Sequence, residues 1–439
     1  EAKKGEDVLN PFDESVLGWL PHATEDKLND AVKSAEKGFD EWRNTDPETR
    51  GRIILKAADI LSKRISAVSE VMTLEQGKPL AESAGEINQS IAILKFNGTN
   101  AKLIKDDLVA DRENGLKTLI KPQPLGVCLC LTAWNFPIAL VIRKIAPALA
   151  AGCSVIIKPS EETPGTAVEV VKIFLEAGLP KDVINLVFGV PHEISDYLLS
   201  RDEVKKVSFT GSVPVGKLLA KKSAETLKRC TLELGGHSPA IIAEDADIEA
   251  TLDILTGFKF RNAGQVCIAP SRFYVHEKIY DQVKDGFLKR IKNIILGNGM
   301  NEGVSMGPLS NSRRVDAMKD FVDDAVKNGS NIIYGGSRYK GVGYFWEPTL
   351  IENINEGSKM MTQEIFGPIL PLFKFKDYDD VIEKANSLNF GLASYVYTTS
   401  KTLQEKMAKE IIADGVSINT AAPMHPEIPY GGIKESGIG

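Results

Sequence analysis

The feature that most constrains the fold of this chain is a regular alternation of short apolar runs and amphipathic segments, which begins at residue 127. The apolar runs cover 127–131, 154–157, 183–188 and 207–210. Helical patterns follow three of them, at 138–151, 166–177 and 216–223. Unbroken apolar strands that alternate with helices are typical of βαβ units in a parallel sheet covered on both faces. The pattern therefore predicts an α/β fold.

A second alternating set follows Glu233. It predicts strands at 240–242, 273–275, 331–334 and 369–375, and helices at 248–261, 280–295 and 313–327. Two α/β lobes would then meet near residues 233–267, and clefts between lobes are frequent binding sites. Towards the N-terminus, helices are predicted to begin after Thr24 and at Pro47, and helical spacing continues to Gly77.

Residues 106–124 alternate polar and apolar side chains, which predicts an exposed two-stranded ribbon. The open edge of such a ribbon is covered by a partner subunit or is solvated. The pattern alone leaves both alternatives open.

The totals exclude several classes of protein. With 53 Lys and Arg against 59 Asp and Glu, the 439-residue chain has a net charge of −6, whereas a nucleic-acid partner would require a basic face. No apolar run reaches the roughly 18 residues of a membrane span, and residues 1–20 show no signal-peptide pattern. We therefore expect a cytoplasmic protein with neither a nucleic-acid nor a membrane partner.

The cysteines and histidines are scattered. Five cysteines, two of them inside the run at 127–131, do not resemble a disulfide framework and favour a reducing compartment. The five histidines form no i, i+4 pair, so no metal site is expected. The glycine-rich stretch 430–439 ends without a closing element, and we expect a C-terminal tail to be missing.

Cys267 lies among small and polar residues in the sequence Gly-Gln-Val-Cys at 264–267. A thiolate is the strongest nucleophile among ordinary side chains, and small neighbours leave room for a reactant. The alternative is a buried structural thiol. A carboxylate, Glu233, in Glu-Leu-Gly-Gly at 233–236 favours catalysis.

A glycine turn follows the apolar run at 207–210, with Gly211, Ser212, Gly216 and Lys217 leading into a helix. Backbone amides at such a helix start attract phosphate, although an ordinary βα turn is the alternative. The usual Gly-x-Gly-x-x-Gly is absent, and Leu218 replaces the Ser or Thr of a P-loop, which argues against an ATP-dependent phosphotransferase.

Lys158 and Glu161 follow another predicted strand, where an acidic group can accept hydrogen bonds from ribose hydroxyls. A solvated ion pair is the alternative. A ribose-binding Glu161 would repel a 2′-phosphate, so NAD is favoured and NADP is the second choice.

Seven motifs make the chain resemble the aldehyde dehydrogenase superfamily along essentially its whole length. They are Trp-Asn-Phe-Pro at 134–137, Lys-Pro-Ser-Glu at 158–161, Phe-Thr-Gly-Ser-x3-Gly at 209–216, Leu-Glu-Leu-Gly-Gly at 232–236, Gly-Gln-Val-Cys at 264–267, Glu-Ile-Phe-Gly-Pro at 364–368 and Pro-Tyr-Gly-Gly at 429–432. The resemblance implies two Rossmann-like parallel-sheet domains and a small oligomerisation ribbon. It divides the chain into an NAD-binding domain at 1–105 and 124–235, the ribbon at 106–123, a catalytic domain at 236–428 and a truncated C-terminal segment at 429–439. It also implies that the protein is a homodimer or a homotetramer.

The resemblance also implies roles for single residues. Cys267 would attack an aldehyde to form a thiohemiacetal and then a thioester, Asn135 would stabilise the oxyanion, and Glu233 would activate water. Lys144 would assist proton transfer. The residues implied in cofactor binding are Trp134, Lys158, Ser160, Glu161, Gly211, Ser212, Gly216, Glu364 and Phe366.

Arg143 and Arg261 are similar in position to arginines that hold the distal carboxylate of the substrate in succinate-semialdehyde dehydrogenases. Either could instead be an ordinary surface residue. The chain departs from the subgroup in having His425, Glu427 and Tyr430 where small hydroxyl residues and Pro-Phe-Gly-Gly are usual. Glutarate semialdehyde, 2-oxoglutarate semialdehyde and sulfolactaldehyde therefore remain alternative substrates.

Two other classes of protein are alternatives to a hydrolytic aldehyde dehydrogenase. A CoA-acylating relative would lack the glutamate, so Glu233 favours hydrolysis of the thioester. A non-catalytic binding protein on the same fold would be expected to have lost Cys267, Glu233 or Asn135, and the chain has all three.

Overall fold

The computed structural model describes residues 4–111, 115–339, 341–421 and 424–439. Residues 1–3 of the predicted NAD-binding domain, 112–114 of the predicted ribbon, and 340, 422 and 423 of the predicted catalytic domain lie outside the described residues. The helices are α1 (Glu25–Trp42), α2 (Pro47–Ser62), α3 (Ile65–Gln76), α4 (Leu80–Asn100), α5 (Pro137–Ala150), α6 (Pro164–Ala177), α7 (Pro191–Leu199), α8 (Val213–Ala224), α9 (Ile248–Phe260), α10 (Tyr280–Ile291), α11 (Ser312–Lys327), α12 (Lys359–Thr362), α13 (Tyr378–Asn386) and α14 (Lys401–Glu410).

The strands alternate with these helices through most of the chain. They are β1 (Gly5–Leu9), β2 (Val16–Pro21), β3 (Asp107–Asp111), β4 (Lys117–Ile120), β5 (Val127–Leu131), β6 (Ser154–Lys158), β7 (Ile184–Leu186), β8 (Val204–Thr210), β9 (Arg229–Glu233), β10 (Ser238–Ile242), β11 (Pro270–His276), β12 (Asn331–Tyr334), β13 (Thr349–Glu352), β14 (Ile369–Phe375), β15 (Phe390–Gly391), β16 (Ala393–Tyr397), β17 (Gly415–Ile418), β18 (Ile433–Lys434) and β19 (Gly437–Ile438).

Two parallel sheets confirm the predicted α/β fold. The first has the order β19-β9-β8-β5-β6-β7, and only its edge strand β19 is antiparallel to its neighbour. The second has the order β12-β13-β14-β11-β10-β16-β17, with β12 antiparallel at one edge. The pairs β1-β2, β3-β4 and β15-β18 form small ribbons outside these sheets.

The apolar runs are unbroken because both faces of each sheet are covered. On β5, Cys128 and Cys130 face one hydrophobic cluster, whereas Val127, Leu129 and Leu131 face the cluster on the other side. The same alternation occurs on β10, where Ile241 faces away from Ala240 and Ile242. A strand buried on both faces needs an apolar side chain at every position.

The predicted helix boundaries follow from capping residues. The Thr24 hydroxyl accepts a hydrogen bond from the Lys27 N–H at the start of α1, and the Asp46 carboxylate accepts one from the Thr49 N–H at the start of α2. Gly77 ends α3 with a φ of 96°, a conformation that glycine adopts without steric cost. The helix predicted at 280–295 is shorter in the structure than in the prediction: α10 ends at Ile291, and Lys292 is its C-cap residue.

The ribbon predicted at 106–124 is the antiparallel pair β3-β4. Its apolar side chains are exposed, with Leu108 at 52% and Ile120 at 54% of full accessibility. In the described part of the chain, no helix has the length and apolar character needed to cross a membrane.

The glycine-rich stretch at 430–439 is paired rather than free. β19 adds to the first sheet beside β9, and β18 pairs with β15 next to the second sheet. This stretch therefore connects the two lobes beside Glu233.

Candidate active site

A cavity of about 310 Å³ lies between the two lobes, at the carboxyl ends of β5, β8 and β9. Crevices at the carboxyl ends of parallel strands are where α/β proteins bind ligands. The predicted site residues that line it are Trp134, Asn135, Arg143, Gly211, Ser212, Glu233, Arg261, Cys267, Glu364 and Phe366. Segments distant in sequence thus meet in one cavity.

The loop that presents Cys267 has a constrained backbone. It begins with a 3₁₀ turn at Arg261–Gly264, in which Asn262 and Ala263 both have a φ of 50°. At Gly264, with a φ of 74°, a Cβ atom would lie 2.1 Å from the carbonyl oxygen of Gly367. Only glycine allows this approach, which fixes the cysteine loop against the segment that contains Glu364 and Phe366.

The surroundings of Cys267 disfavour its charged form. Burial raises the pKa of the thiol to about 12, and the carboxylates of Glu364 and Glu233 act in the same direction. A hydrogen bond from the Tyr430 side chain and one from the backbone of Ile268 lower it in part. The distance between Cys267 Sγ and Tyr430 Oη is 3.6 Å.

Asn135 follows β5 and is 5% exposed. Its Nδ2 donates to the Gln265 carbonyl at 3.1 Å, and a side-chain amide has a second N–H for a ligand. The backbone carbonyl of Asn135 accepts hydrogen bonds from Lys78 Nζ at 2.8 Å and from Asn262 Nδ2 at 2.9 Å. These bonds fix Asn135 relative to the loop of Cys267.

Glu233 is the last residue of β9, and its Oε2 accepts a hydrogen bond from the Thr210 hydroxyl at 3.2 Å. Lys144 does not line the cavity. It lies behind it on α5, where its Nζ donates to Ser208 Oγ at 3.2 Å. Burial lowers the pKa of Lys144, and the charge of Glu233 opposes that shift.

Five of the residues predicted to bind the cofactor line the cavity together. The rings of Trp134 and Phe366 meet edge to face at a centroid distance of 5.7 Å. Glu364 Oε1 accepts from the Gly236 N–H at 3.2 Å, and burial raises the pKa of Glu364 to about 7. Gly211 and Ser212 line the cavity at the start of α8, where Ser212 is the N-cap residue without a side-chain capping bond. The first turn of α8 is thus suited to a phosphate.

Four predicted cofactor residues lie outside the lining of the cavity. Lys158 and Glu161 form an ion pair of 2.6 Å at the end of β6, with side chains 7% and 11% exposed, and half-buried Ser160 lies between them. Gly216 packs inside α8, where a Cβ would lie 2.4 Å from a Leu234 methyl group. Gly216 therefore allows close contact between α8 and the end of β9.

Both predicted arginines reach the cavity. Arg143 Nη2 is buried without a hydrogen-bond partner, and its guanidinium lies 5.9 Å from the centre of the Tyr430 ring. The Arg261 guanidinium lies 5.1 Å from the centre of the Phe136 ring. His425 and Glu427, the departures noted in the sequence, are exposed and do not line the cavity, whereas Met424 and Tyr430 do.

Two residues that line the cavity, Arg314 and Tyr430, are not among the predicted site residues. Arg314, on α11, donates to the carbonyls of Ile365 and Phe366 and lies 5.5 Å from the Phe366 ring centre. Tyr430 belongs to the motif at 429–432, but only the contact with Cys267 indicates a chemical role. Among the described residues, no group of three or more His, Cys, Asp or Glu side chains is arranged to hold a metal ion.

A half-buried cysteine, a carboxylate and an amide share one cavity, and the N-cap residue of α8 lines it as well. The fold is that of a two-lobed α/β protein with this cavity between the lobes. The chain belongs to the aldehyde dehydrogenase family, whose model matches residues 1–439. It is an NAD(P)-dependent aldehyde dehydrogenase.

Relatives support this assignment at the level of whole chains. A succinate semialdehyde dehydrogenase of Acinetobacter baylyi is 36% identical over 432 residues, which cover 98% of this chain and 89% of the relative. A glutarate-semialdehyde dehydrogenase of Pseudomonas aeruginosa is 35% identical over 432 residues, with coverage of 98% and 89%. The crystal structure of an E. coli NADP-dependent enzyme superposes with a TM-score of 0.97 at 34% identity, covering 99% of this chain and 91% of that one.

Proposed function

We propose that this enzyme oxidises an aldehyde with a distal acidic group, succinate semialdehyde or a close analogue, to the carboxylic acid. The observation that carries the proposal is the pair of arginines in the cavity of Cys267, with Arg143 Nη2 buried and unpartnered. A buried guanidinium nitrogen without a hydrogen-bond partner costs free energy, and a bound carboxylate would remove that cost. Relatives named for succinate and glutarate semialdehyde support an acidic substrate.

The nucleophile in this proposal is Cys267 Sγ. It attacks the aldehyde carbon, and the carbonyl electron pair moves to oxygen to give a thiohemiacetal oxyanion. The free N–H of Asn135 and the backbone N–H of Cys267 would stabilise that oxyanion, which is worth about 3–4 kcal/mol of barrier per donor. Asn135 suits this role because Lys78 and Asn262 already hold it in place.

Glu233 would act as the base that activates water for hydrolysis of the thioester. Its position at the end of β9, in the same cavity as Cys267, supports this role. Lys144 would assist proton transfer behind Glu233, since it is buried close enough for their charges to interact.

A bound NAD or NADP would accept the hydride released from the thiohemiacetal. Gly211 and the N-cap residue of α8, which both line the cavity, would contact its phosphates, and Trp134, Phe366 and Glu364 would contact its nicotinamide ribose and ring. Lys158, Ser160 and Glu161 would bind the adenosine ribose, with NAD favoured because Glu161 repels a 2′-phosphate. Gly216 would contribute by letting α8 pack closely.

The domain roles belong to the same proposal. Residues 1–105 and 124–235 would bind the cofactor, residues 236–428 would provide catalysis, and the ribbon at 106–123 would pair subunits in a homodimer or homotetramer. Exposed apolar side chains on β3 and β4 support the ribbon's role. The free cysteines at 128, 130 and 153 are consistent with a cytoplasmic location.

The test is a comparison of Arg143→Ala and Arg261→Ala on succinate semialdehyde and on propanal. Loss of one charge-assisted hydrogen bond should lower kcat/KM for the acidic aldehyde about tenfold to hundredfold and spare propanal. Arg290→Ala on α10, whose guanidinium pairs with Glu249 and Asp253 far from the cavity, is the matched control. Equal losses on both aldehydes would show that the arginines do not bind the distal group.

A panel of aldehydes separates the remaining candidates. Glutarate semialdehyde, 2-oxoglutarate semialdehyde and sulfolactaldehyde place the acid at different distances from the aldehyde carbon, or replace carboxylate by sulfonate. The substrate is the one with the highest kcat/KM. If Cys267→Ser oxidises every aldehyde as fast as the natural enzyme, the covalent mechanism is wrong.

A further inference from the structure

The Tyr430 hydroxyl is in contact with the reactive sulfur. Its Oη lies 3.6 Å from Cys267 Sγ, within hydrogen-bonding distance for sulfur. Both residues line the same cavity, although 163 positions separate them in the chain.

The position of Tyr430 is fixed by the segment that follows it. The N–H of the next residue, Gly431, donates to Asp414 Oδ2 at 3.2 Å. Beyond it, Ile433 and Gly437 belong to strands paired with β15 and β9. The Arg143 guanidinium lies 5.9 Å from the centre of the phenol ring. The hydroxyl therefore points at the sulfur from a segment that is held in place.

The electrostatics show which way the hydrogen bond runs during the reaction. Burial raises the pKa of Tyr430 well above its usual value, and the negative charges of Cys267 and Glu233 act in the same direction. The phenol therefore stays protonated and can donate. Around Cys267, burial and two carboxylates disfavour the thiolate, and the Tyr430 hydrogen bond is the strongest opposing influence.

We propose that Tyr430 is a further catalytic residue, whose hydroxyl donates a hydrogen bond to Cys267 Sγ and stabilises the thiolate that attacks the aldehyde. The role deepens the proposed function and rests on it. Among the described groups with the largest influence on the pKa of Cys267, the ones that favour the thiolate are the Tyr430 hydroxyl and the backbone of Ile268, and neither is a cation. A neutral donor is then the means by which this site favours the nucleophile.

The step balances in protons and electrons. The Cys267 thiol gives its proton to water, the sulfur keeps the electron pair, and the Tyr430 O–H hydrogen-bonds to that sulfur. The pair then forms the S–C bond to the aldehyde carbon, while the carbonyl π pair moves to oxygen. Tyr430 keeps its proton throughout and is a hydrogen-bond donor rather than an acid.

The experiment is the alkylation of Cys267 by iodoacetamide in Tyr430→Phe, followed by mass spectrometry of the Cys267 peptide. Alkylation requires the thiolate but no aldehyde, so the result is independent of the substrate. At every pH from about 7 to about 10, we expect the alkylation rate constant of Tyr430→Phe to be about tenfold or more below that of the natural enzyme. The reason is that the variant loses a hydrogen bond to the charged sulfur. The fold should tolerate Phe, because it keeps the aromatic ring and removes only the hydroxyl.

Tyr397→Phe is the matched control. Its hydroxyl donates to the Thr420 carbonyl at 3.2 Å and touches no site residue, so the alkylation rate should not change. An unchanged pH–rate profile in Tyr430→Phe would overturn the role of Tyr430, even with a lower melting temperature. Persistent aldehyde oxidation by Cys267→Ser would instead overturn the proposed function, so the two failures are distinguishable.

Discussion

At the scale of single residues, the proposed preference for NAD over NADP rests on the carboxylate of Glu161. It is 11% exposed and paired with Lys158, so its charge is held in one place at the end of β6. A 2′-phosphate at the adenosine ribose would meet this carboxylate, and like charges in a poorly solvated site repel strongly. The ribose hydroxyls of NAD would instead donate to it.

Glu161→Ser should therefore raise kcat/KM for NADP relative to NAD by about tenfold or more, equivalent to about 1.4 kcal/mol. The loss of repulsion and the freed Lys158 amine both favour the 2′-phosphate. Steady-state rates with each cofactor at saturating aldehyde provide the measurement. Glu169→Ser, which breaks the exposed i, i+3 pair with Lys172 on α6, should leave the ratio unchanged. A ratio that stays constant in Glu161→Ser would place the ribose elsewhere.

The chemistry of single residues is predictable from sequence where neighbours mark it. Gly264 and Gln265 beside Cys267 indicate an accessible thiol, and the structure puts that thiol in the cavity. No motif surrounds Arg314, and the Pro-Tyr-Gly-Gly motif does not indicate that the Tyr430 hydroxyl contacts Cys267. Their positions depend on how α11 and the stretch at 430–439 pack. A sequence pattern does not give the distance from either residue to Cys267.

At the scale of secondary-structure elements, a buried ion pair supports the site, with Lys78 in the α3–α4 loop and Glu86 on α4. Lys78 Nζ and Glu86 Oε2 lie 2.6 Å apart, with side chains 1% and 0% exposed. Glu86 Oε1 accepts the N–H groups of Ile138 and Ala139 at the start of α5, each at 3.0 Å. Lys78 also donates to the Asn135 carbonyl at 2.8 Å. The pair therefore joins the α3–α4 loop, α4 and α5 to Asn135.

Lys78→Met should destabilise the protein by about 3–5 kcal/mol, because it leaves the Glu86 carboxylate buried and unpaired. Adding Glu86→Gln should recover part of that loss, since the amide oxygen still accepts from the start of α5 without a charge. Urea unfolding of the single and double variants measures both values. Lys172→Met, which breaks an exposed pair on α6, should cost only about 0–1 kcal/mol. An additive double variant would show that the two charges do not interact.

Elements are predictable where their pattern is strong. The strands at 331–334 and 369–375 and the caps at Thr24, Asp46 and Gly77 are confirmed. The sequence does not predict α14, because Lys401–Glu410 buries a single side chain, Met407, and has no apolar stripe. Nor does it predict that β16 lies between β10 and β17, because strand order depends on long-range pairing.

At the scale of the whole molecule, the two lobes are joined by the stretch that follows Tyr430. The Leu234 N–H donates to the Ser436 carbonyl at 2.8 Å, next to Glu233. Ser436 Oγ donates to the Gly235 carbonyl at 2.8 Å and accepts from the Gly391 N–H at 3.0 Å. One fully buried serine thus bonds to the first lobe and to the second. The sequence predicts two lobes that meet near 233–267, but not this connection.

Ser436→Ala should therefore weaken the contact between the lobes as well as the local turn. It leaves the Gly235 carbonyl and the Gly391 N–H buried without partners, which should cost about 1–3 kcal/mol. Amide hydrogen exchange should become faster both in peptides around Gly235 and in peptides around Gly391, because one hydroxyl holds both. Ser387→Ala, which removes an exposed serine hydroxyl bonded to the Lys384 carbonyl, is the control and should change neither. Faster exchange confined to one of the two regions would mean that Ser436 stabilises a single lobe and that other contacts hold the lobes together around Cys267 and Glu233.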